Sequence, residues 1–313
     1  MINNSNFVPQ EDGLSIQRCK SGDSLFHYTN SSALINIIEN GELWLTKSNC
    51  LNDKSEFIYC EDVIKKACDE FFAAGDTAFG KDFCDDVIND FNNSGRPDII
   101  QGDYVLSFSL DRDNILLWSE YSNFMGYSIE FDYEKFKESL KTKGMIFDGF
   151  VIYDEIVQVS RLKQALALIC NSYETEINGS DIQQRLVDGS IGEDMRELLL
   201  QNFSVYCTAY SMFFKKPCFS GENEYRFVIW AVHQDFSEKI IGLVPLNFRD
   251  KQNVIIPYIK VPIVTNDGLL PIRSITIGPQ NNIDISETGL RFFLASKKYQ
   301  IVSVNRSDIP LRY

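Results

Sequence analysis

Residues 221–230 read Gly-Glu-Asn-Glu-Tyr-Arg-Phe-Val-Ile-Trp, a pattern typical of a β-strand that carries charges at one end. Because a strand alternates its two faces, Glu222, Glu224 and Arg226 are predicted to share one side of it. The second half of the stretch is apolar through Trp230, as expected of a strand that enters a buried core. Charged side chains on a core strand are costly unless they are paired or used. We therefore expect a functional site at this end of the strand.

The composition indicates a globular protein with a large core. The chain has 313 residues, of which 44% are hydrophobic and 13% are aromatic. No apolar run approaches the roughly 20 residues that a membrane-spanning helix needs, and the N-terminus lacks the basic and apolar regions of a secretory signal. We therefore expect a cytoplasmic protein without a membrane partner. The net charge of −14 disfavours general coating of nucleic acid, because phosphate binding depends on Lys and Arg, but it leaves a local basic groove open.

Metal-ligating patterns are scarce in this chain. There are only two histidines, His27 and His233, and no spaced Cys/His set suggests a zinc site. The eight cysteines form no C-x-x-C pair, so we expect reduced, mostly buried thiols. Phosphate-loop, dinucleotide-binding and nucleophile-elbow motifs are also missing from the sequence. The prediction is chemistry that needs no protein-bound metal.

Hydrophobic periodicity and turn residues place the secondary structure. A strand at 25–29 precedes a helix whose apolar face is Leu34, Ile37 and Ile38 and which ends at Gly41. The other predicted elements are a strand at 42–46, a helix at 54–73, a short helix within 74–103, a strand at 104–109, a helix at 115–121, strands at 126–132, 146–153 and 155–159, an interrupted helical region at 160–214, strands at 222–230, 239–244, 253–260 and 272–277, a helix at 285–298 and a strand at 300–304.

These strands are separated by hairpin-like connections as often as by helices. This pattern predicts an α+β fold and not a doubly wound parallel sheet. Residues 1–22 are interpreted as a polar N-terminal lead-in, and 23–313 as a single domain. That domain is predicted to carry helical insertions at about 54–98 and 160–214.

Three groups of residues are candidates for a site, and each has a structural alternative. His27 lies at a strand end, where sites tend to form, but a hydrogen-bonded core histidine is the commoner case. Trp118 and Tyr121 share a helix face and suit either ordinary aromatic packing or a stacking wall for a flat ring. For Glu224 and its charged neighbours the alternative is a solvated face with an internal ion pair, which contributes little at a surface.

The order histidine, tyrosine, glutamate resembles the ADP-ribosyltransferase superfamily, in its His-Tyr-Glu branch. The strand at 25–29 and the following short helix resemble the opening histidine motif, and the stretch 107–121 resembles the strand–loop–helix that ends in the stacking tyrosine. The stretch 223–225, Asn-Glu-Tyr, is similar to the asparagine–glutamate–tyrosine strand of the poly(ADP-ribose) polymerases. The resemblance implies an α+β fold with an ADP-ribosyltransferase-like split mixed/antiparallel β-sheet core and helical insertions.

The chain also resembles the bacterial domain-of-unknown-function family number 2971 over nearly all of residues 25–312. The features that carry this resemblance are Asn52-Asp53 with Glu56, a central S-F-S…W-S-x-Y…G block, the E-x-R of Glu224 and Arg226, and the ending S-x-I-P-x-R at 307–312.

The transferase resemblance implies cleavage of NAD, with NAD as substrate and no metal, and transfer of ADP-ribose to an acceptor. Glu224 would be the catalytic carboxylate, with Glu222 and Arg226 supporting it. Binding of NAD is assigned to His27, Tyr28, Thr29, Trp118 and Tyr121. The resemblance further implies a bacterial toxin or anti-phage defence effector held off by an antitoxin protein, acting on a macromolecular acceptor, protein or nucleic acid.

Two other function classes stay open. One is a catalytically inactive binding or regulatory module on the same scaffold. The other is a metal-dependent nuclease or hydrolase that uses acidic residues such as Asp53, Glu56 and Asp111.

Overall fold

The protein is a mixed α/β protein with an open, mixed β-sheet. The computed structural model describes residues 14–51, 55–94, 101–140, 146–176, 181–232, 244–251, 253–281 and 283–311. The chain divides into two compact units. The first comprises Met1–Ile16, Leu51–Asp98 and Ile152–Phe219, and the second comprises Gln17–Cys50, Ile99–Val151 and Ser220–Tyr313.

Every named strand of the described residues lies in the second unit. The strands are β1 (Ser24–Thr29), β2 (Glu42–Lys47), β3 (Gln101–Ser109), β4 (Tyr127–Asp132), β5 (Ile146–Phe150), β6 (Glu224–Val232), β7 (Asn247–Lys251), β8 (Val254–Pro262), β9 (Ile272–Ile277) and β10 (Ser303–Arg306). The helices are α1 (Ser31–Asn40), α2 (Ser55–Phe72), α3 (Thr77–Ser94), α4 (Ile115–Ser122), α5 (Tyr133–Leu140), α6 (Glu155–Glu176), α7 (Ile182–Val187), α8 (Glu193–Ser211) and α9 (Ile283–Ser296).

Strand β3 is the central member of the sheet. One of its edges pairs with β6 along its whole length, from Gln101 to Ser109. The other edge is shared by two strands, because β1 pairs only at Ser109 and β2 pairs only at Tyr104 and Val105. The described strands leave residues 106–108 without a partner on that second edge, so the sheet divides between β1 and β2. The branch from β1 continues through β4 and β9 to β10, and the branch from β2 continues through β8 to β7.

All pairings described for the sheet are antiparallel except β9 with β10, which is parallel. The core of this unit packs on one face of β3 and β6, where Phe108, Tyr225 and Phe227 are almost fully buried. Edge-to-face ring contacts stabilise this face, with Phe108 and Phe136 at 5.0 Å between centroids. Because side chains alternate, the opposite face of β3 and β6 is left for other residues.

The first unit is helical in the part that the structure describes, and its helices are α2, α3, α6, α7 and α8. Helix α2 packs against α6 and α3 packs against α8, with the rings of Phe83 and Phe203 stacked at 6.5 Å. The hydroxyl of Tyr59 donates to Gln158 Oε1 at 2.6 Å in the interior. None of the described helices is long and apolar enough to cross a membrane.

The strand predicted at 155–159 is wrong, since these residues open helix α6. The carboxylate of Asp154 accepts hydrogen bonds from the backbone N–H groups of Ile156 and Val157, at 2.8 and 3.3 Å, and so caps the helix. Val159 is buried while Ile156 is 81% exposed, which is a helical pattern and not that of a buried strand.

Other element boundaries also differ from the predictions. The last strand lies at Ser303–Arg306 and not at 300–304, and the short strand Asn247–Lys251 was not predicted. Positions 239–243 of a predicted strand lie outside the described residues. The charged strand begins at Glu224, two residues later than expected. The strand enters the core as predicted, since Val228, Ile229 and Ala231 are buried, but the side chain of Trp230 is 41% exposed.

Candidate functional site

Glu224 and Arg226 lie on the face of β6 that the aromatic core does not occupy. They remain buried there, with 6% and 2% of their surface exposed. Arg226 Nε donates to Glu224 Oε1 at 2.9 Å, and Arg226 Nη2 donates to Glu224 Oε2 at 3.0 Å. This is a bidentate ion pair, the geometry that a guanidinium and a carboxylate favour. The internal ion pair of the structural alternative is therefore present, but it is buried and does not lie on a solvated face.

Glu222 does not belong to the strand, which corrects its predicted position. It ends a short 3-10 helix at Pro217–Glu222, and Asn223 follows with a left-handed φ of 46°. The carbonyl of Glu222 accepts from Ser109 Oγ at 2.8 Å, and Asn223 Nδ2 donates to Asp111 Oδ1 at 3.1 Å. The bend after Glu222 is thus fastened to the end of β3, which fixes where β6 begins.

Helix α4 brings Tyr121 to this end of β6. Asn114 caps the helix start by accepting from the backbone N–H of Leu116, and Asn123 ends it in a left-handed conformation. Tyr121 is 41% exposed, and the partial burial of its side chain is the largest cause of a raised pKa. The carboxylates of Glu120, Glu224 and Glu222 raise this pKa further and Arg226 opposes them. Tyr121 thus lies within electrostatic reach of the Glu224–Arg226 pair.

Trp118 of α4 packs against Tyr28 of β1. Trp118 is fully buried, and its indole N–H donates to Asp113 Oδ1 at 2.7 Å. Its ring meets that of Tyr28 edge to face at 4.8 Å. The Tyr28 hydroxyl donates to the carbonyl of Asp111 and accepts from the N–H of Asn114, at 2.7 and 2.8 Å. These contacts favour the packing alternative for Trp118, since no face of the ring is open to a ligand.

His27 lies where β1 separates from β3. Its Nδ1 is 3.4 Å from the carbonyl oxygen of Ser107, and its ring meets Phe108 edge to face at 5.8 Å. Because a carbonyl only accepts, Nδ1 carries the hydrogen and Nε2 of the neutral ring is an acceptor. Burial lowers the pKa of His27 to about 4, the Ser107 carbonyl opposes this, and the charge of Arg249 lowers it further. The imidazole is therefore neutral at physiological pH.

The predicted residues meet around β3. Phe26 pairs with Ser109, and Ser109 pairs with Glu224, so Phe26 and Glu224 are separated by one strand, about 10 Å between Cα atoms. His27 follows Phe26 directly, so alternation places its side chain on the other face of β1, where its ring meets Phe108. Thr29, also assigned to NAD binding, is the buried last residue of β1 and pairs with Tyr127.

Three charged residues near the site were not predicted from the sequence: Glu120, Arg249 and Lys251. In addition to burial, the charge of Arg249 lowers the pKa of His27. The charge of Glu120 raises the pKa of both Tyr121 and Lys251. Arg249 and Lys251 stand at alternate positions of Asn-Phe-Arg-Asp-Lys at 247–251. That alternation was the available signal, but only long-range contacts assign the strand to the sheet.

Within the part of the chain that the structure describes, no group of three or more His, Cys, Asp or Glu side chains is placed to hold a metal ion. Asp53 and the side chain of Glu56 lie outside the described residues. The carboxylate of Asp111 accepts from the amides of Asn114 and Asn223, both at 3.1 Å. The hydrolase alternative stays untested for the first two residues.

A family model matches the part of the chain that carries Trp118, Tyr121, Glu222, Glu224 and Arg226. Residues 117–227 match the family described as "Protein of unknown function (DUF2971)". The match runs from helix α4 to the ion pair of β6 and supports the resemblance to that family. No curated protein and no solved structure matches the chain significantly.

Proposed function

We propose that the protein is an NAD-dependent ADP-ribosyltransferase whose catalytic carboxylate is Glu224. The observation that carries this proposal is the bidentate Arg226–Glu224 ion pair at the start of β6, within electrostatic reach of Tyr121. A carboxylate held in an ion pair near an aromatic side chain suits a reaction that develops positive charge on a sugar.

In the proposed reaction the bond between the nicotinamide nitrogen and ribose C1 breaks, and its electron pair leaves with nicotinamide. The ribosyl group then carries positive charge, which the Glu224 carboxylate stabilises. An acceptor nucleophile attacks C1 and releases its proton. Arg226 acts as a positioning residue, because two charge-assisted hydrogen bonds fix the orientation of the carboxylate.

His27 and Tyr121 are proposed to bind the substrate. The neutral imidazole of His27 offers Nε2 to a ribose hydroxyl, because its Nδ1 faces the Ser107 carbonyl. Tyr121 has an exposed surface on which the nicotinamide ring is proposed to stack. Tyr28 positions α4 through its contact with Trp118, Thr29 fixes the end of β1, and Glu222 is proposed to orient the acceptor.

An ADP-ribosyltransferase-like arrangement of the sheet is part of this proposal. Its support is the division of the sheet at β3, where β1 and β2 share one edge. The ring of His27 lies against the part of that edge between them. We propose that an extended ligand runs from β6 towards β2 along this division.

The proposed cellular role follows from the resemblance alone. It is a cytoplasmic toxin or anti-phage defence effector that modifies a protein or nucleic acid and is neutralised by an antitoxin protein. Induced expression in a bacterial host tests it, since growth arrest is expected from the wild type and not from Glu224→Gln.

A catalytically inactive binding module is the second candidate. The observation that favours it is the low exposure of the Glu224 side chain, 7%, which limits its access to a substrate in this conformation. This candidate predicts binding of a partner or of NAD without release of nicotinamide.

The deciding experiment is incubation of the purified protein with NAD labelled in the adenylate half, together with cell lysate. The transferase predicts label in a protein or nucleic-acid fraction and none with Glu224→Gln. Absence of both label transfer and nicotinamide release from the wild type would overturn the proposal in favour of the binding module.

A further inference from the structure

Arg249 on β7 reaches across the sheet to β2. Its Nη2 donates to Thr46 Oγ1 at 2.7 Å, and its guanidinium carbon lies 5.7 Å from the ring centroid of Tyr258. Tyr258 is in turn stacked on Trp44, at 4.5 Å and 29°. A hydrogen bond and an aromatic platform therefore hold the guanidinium in one place on this face of the sheet.

Among the residues that the structure describes, no Asp or Glu forms an ion pair with Arg249. Its Nε is buried without a hydrogen-bond partner among these residues. Burial lowers the pKa of the guanidinium, and the nearby Tyr258 opposes that effect. A partly buried cation without a counter-ion is costly, and binding of an anionic ligand would remove that cost.

Two further groups accompany Arg249. Lys251 is two residues along β7 and therefore on the same face. Burial and the charge of Arg249 lower the pKa of Lys251, and the charge of Glu120 on α4 raises it. In addition to burial, the charge of Arg249 lowers the pKa of His27, which lies on the other branch of the sheet. Arg249 thus lies within electrostatic reach of His27, and Lys251 within electrostatic reach of Glu120.

We propose that Arg249 and Lys251 form an anion subsite that binds a phosphate or pyrophosphate group of the ligand. Arg249 would donate to a phosphate oxygen through guanidinium N–H groups that do not bond Thr46, while Thr46 holds Nη2. The identity of the ligand as NAD rests on the proposed function, but the subsite itself does not.

The position of this subsite selects an extended ligand. Thr46 pairs with Val105 on β3, whereas Glu224 pairs with Ser109, four residues further along the same strand. That separation is about 13 Å along β3. A ligand that contacts both Arg249 and Glu224 is therefore of dinucleotide size, with its phosphates at a distance from the reacting sugar.

The test is isothermal titration of inorganic pyrophosphate, inorganic phosphate and ADP-ribose into the wild type, Arg249→Gln and Arg249→Lys. Arg249→Gln is expected to weaken the binding of pyrophosphate and ADP-ribose about 10- to 100-fold, because hydrogen bonds to a charged group are lost. Arg249→Lys keeps the charge but not the planar donors, so a smaller loss of affinity is expected. Arg291→Gln, an exposed arginine of α9 paired with Glu287, is the matched control and should bind as the wild type does.

The outcomes separate this subsite from the proposed function. Equal affinity of wild type and both Arg249 variants, or no binding of pyrophosphate and ADP-ribose to the wild type, overturns the subsite. Loss of pyrophosphate binding in Arg249→Gln without any turnover of NAD by the wild type supports the subsite and contradicts the transferase. Turnover that needs Glu224 but has the same KM for NAD in Arg249→Gln supports the transferase and contradicts the subsite.

Discussion

Arg226 holds both carboxylate oxygens of Glu224, through Nε at 2.9 Å and Nη2 at 3.0 Å, although the two residues are only two positions apart on one strand. Both side chains are buried, so the pair is shielded from the solvent that weakens surface ion pairs. The pair fixes the carboxylate that the proposed reaction needs, and the predictions below test what depends on it.

Removal of one partner from this pair is expected to be costly. Arg226→Met leaves the buried carboxylate of Glu224 without its counter-ion, and we expect a loss of about 3 kcal/mol in the free energy of unfolding. The double variant Glu224→Met/Arg226→Met should regain most of this stability, because two apolar side chains replace two charges. Chemical denaturation measures both, with the exposed Arg291→Met as control. A single variant as mild as that control would contradict the account.

The stability of the protein should depend on pH through His27. The pKa of His27 is about 4 in the folded state and ordinarily 6.5. Between these pH values the unfolded chain therefore binds a proton at His27 that the folded protein does not bind. This contribution is fully present above pH 6.5 and is lost as the pH falls towards about 4. His27→Gln should therefore lose less stability than the wild type between these pH values. Parallel curves of unfolding free energy against pH would show that His27 is not buried in its neutral form.

Asp103 on β3 should have the opposite effect. Desolvation raises its pKa from 3.8 to about 6, although the charge of Lys47 opposes the shift. The folded state therefore favours the protonated form of Asp103. Ionisation of this carboxyl group destabilises the fold as the pH rises from about 4 to above 6. Asp103→Asn is expected to raise the melting temperature at pH 8 and to change it little at pH 4. Destabilisation at pH 8 would indicate that the contact with Lys47 outweighs burial.

Tyr121 and Trp118 should separate into a ligand contact and a structural support. Tyr121→Ala removes a side chain that is 41% exposed, so we expect little change in stability and weaker binding of NAD. Trp118→Phe removes the hydrogen bond to Asp113 and leaves a void, with an expected loss of about 2 kcal/mol. Thermal melting and titration with NAD measure the two effects. The same pattern in both variants would mean that Tyr121 is a packing residue as well.

The local elements of the site were predictable because they depend on short-range rules. Alternation put Tyr225 and Phe227 on one face of β6 and Glu224 with Arg226 on the other. Gly41 was predicted to end α1 and acts there as a left-handed C-cap, while Asn30 caps the start of the helix.

The errors come from interactions that local patterns do not contain. The stretch 155–159 has β-branched residues, but the carboxylate of Asp154 caps a helix there. Arg249 was not predicted because its partner Thr46 lies 203 positions away in the sequence. Glu222 lies outside the strand because Asn223 adopts a left-handed backbone conformation. The burial of the Glu224–Arg226 pair likewise depends on neighbours that the strand sequence does not specify.

The most direct test of the central claim compares nicotinamide release from NAD by the wild type, Glu224→Gln and Glu222→Gln. Both substitutions preserve volume and remove one carboxylate charge, and both residues lie within electrostatic reach of Tyr121. We predict that release by Glu224→Gln falls by about 100-fold or more, as expected when a group that stabilises the transition state is removed. Glu222→Gln is expected to retain most of the wild-type rate of release. Equal rates for the wild type and Glu224→Gln, or no release by the wild type, would contradict the assignment of Glu224 as the catalytic carboxylate.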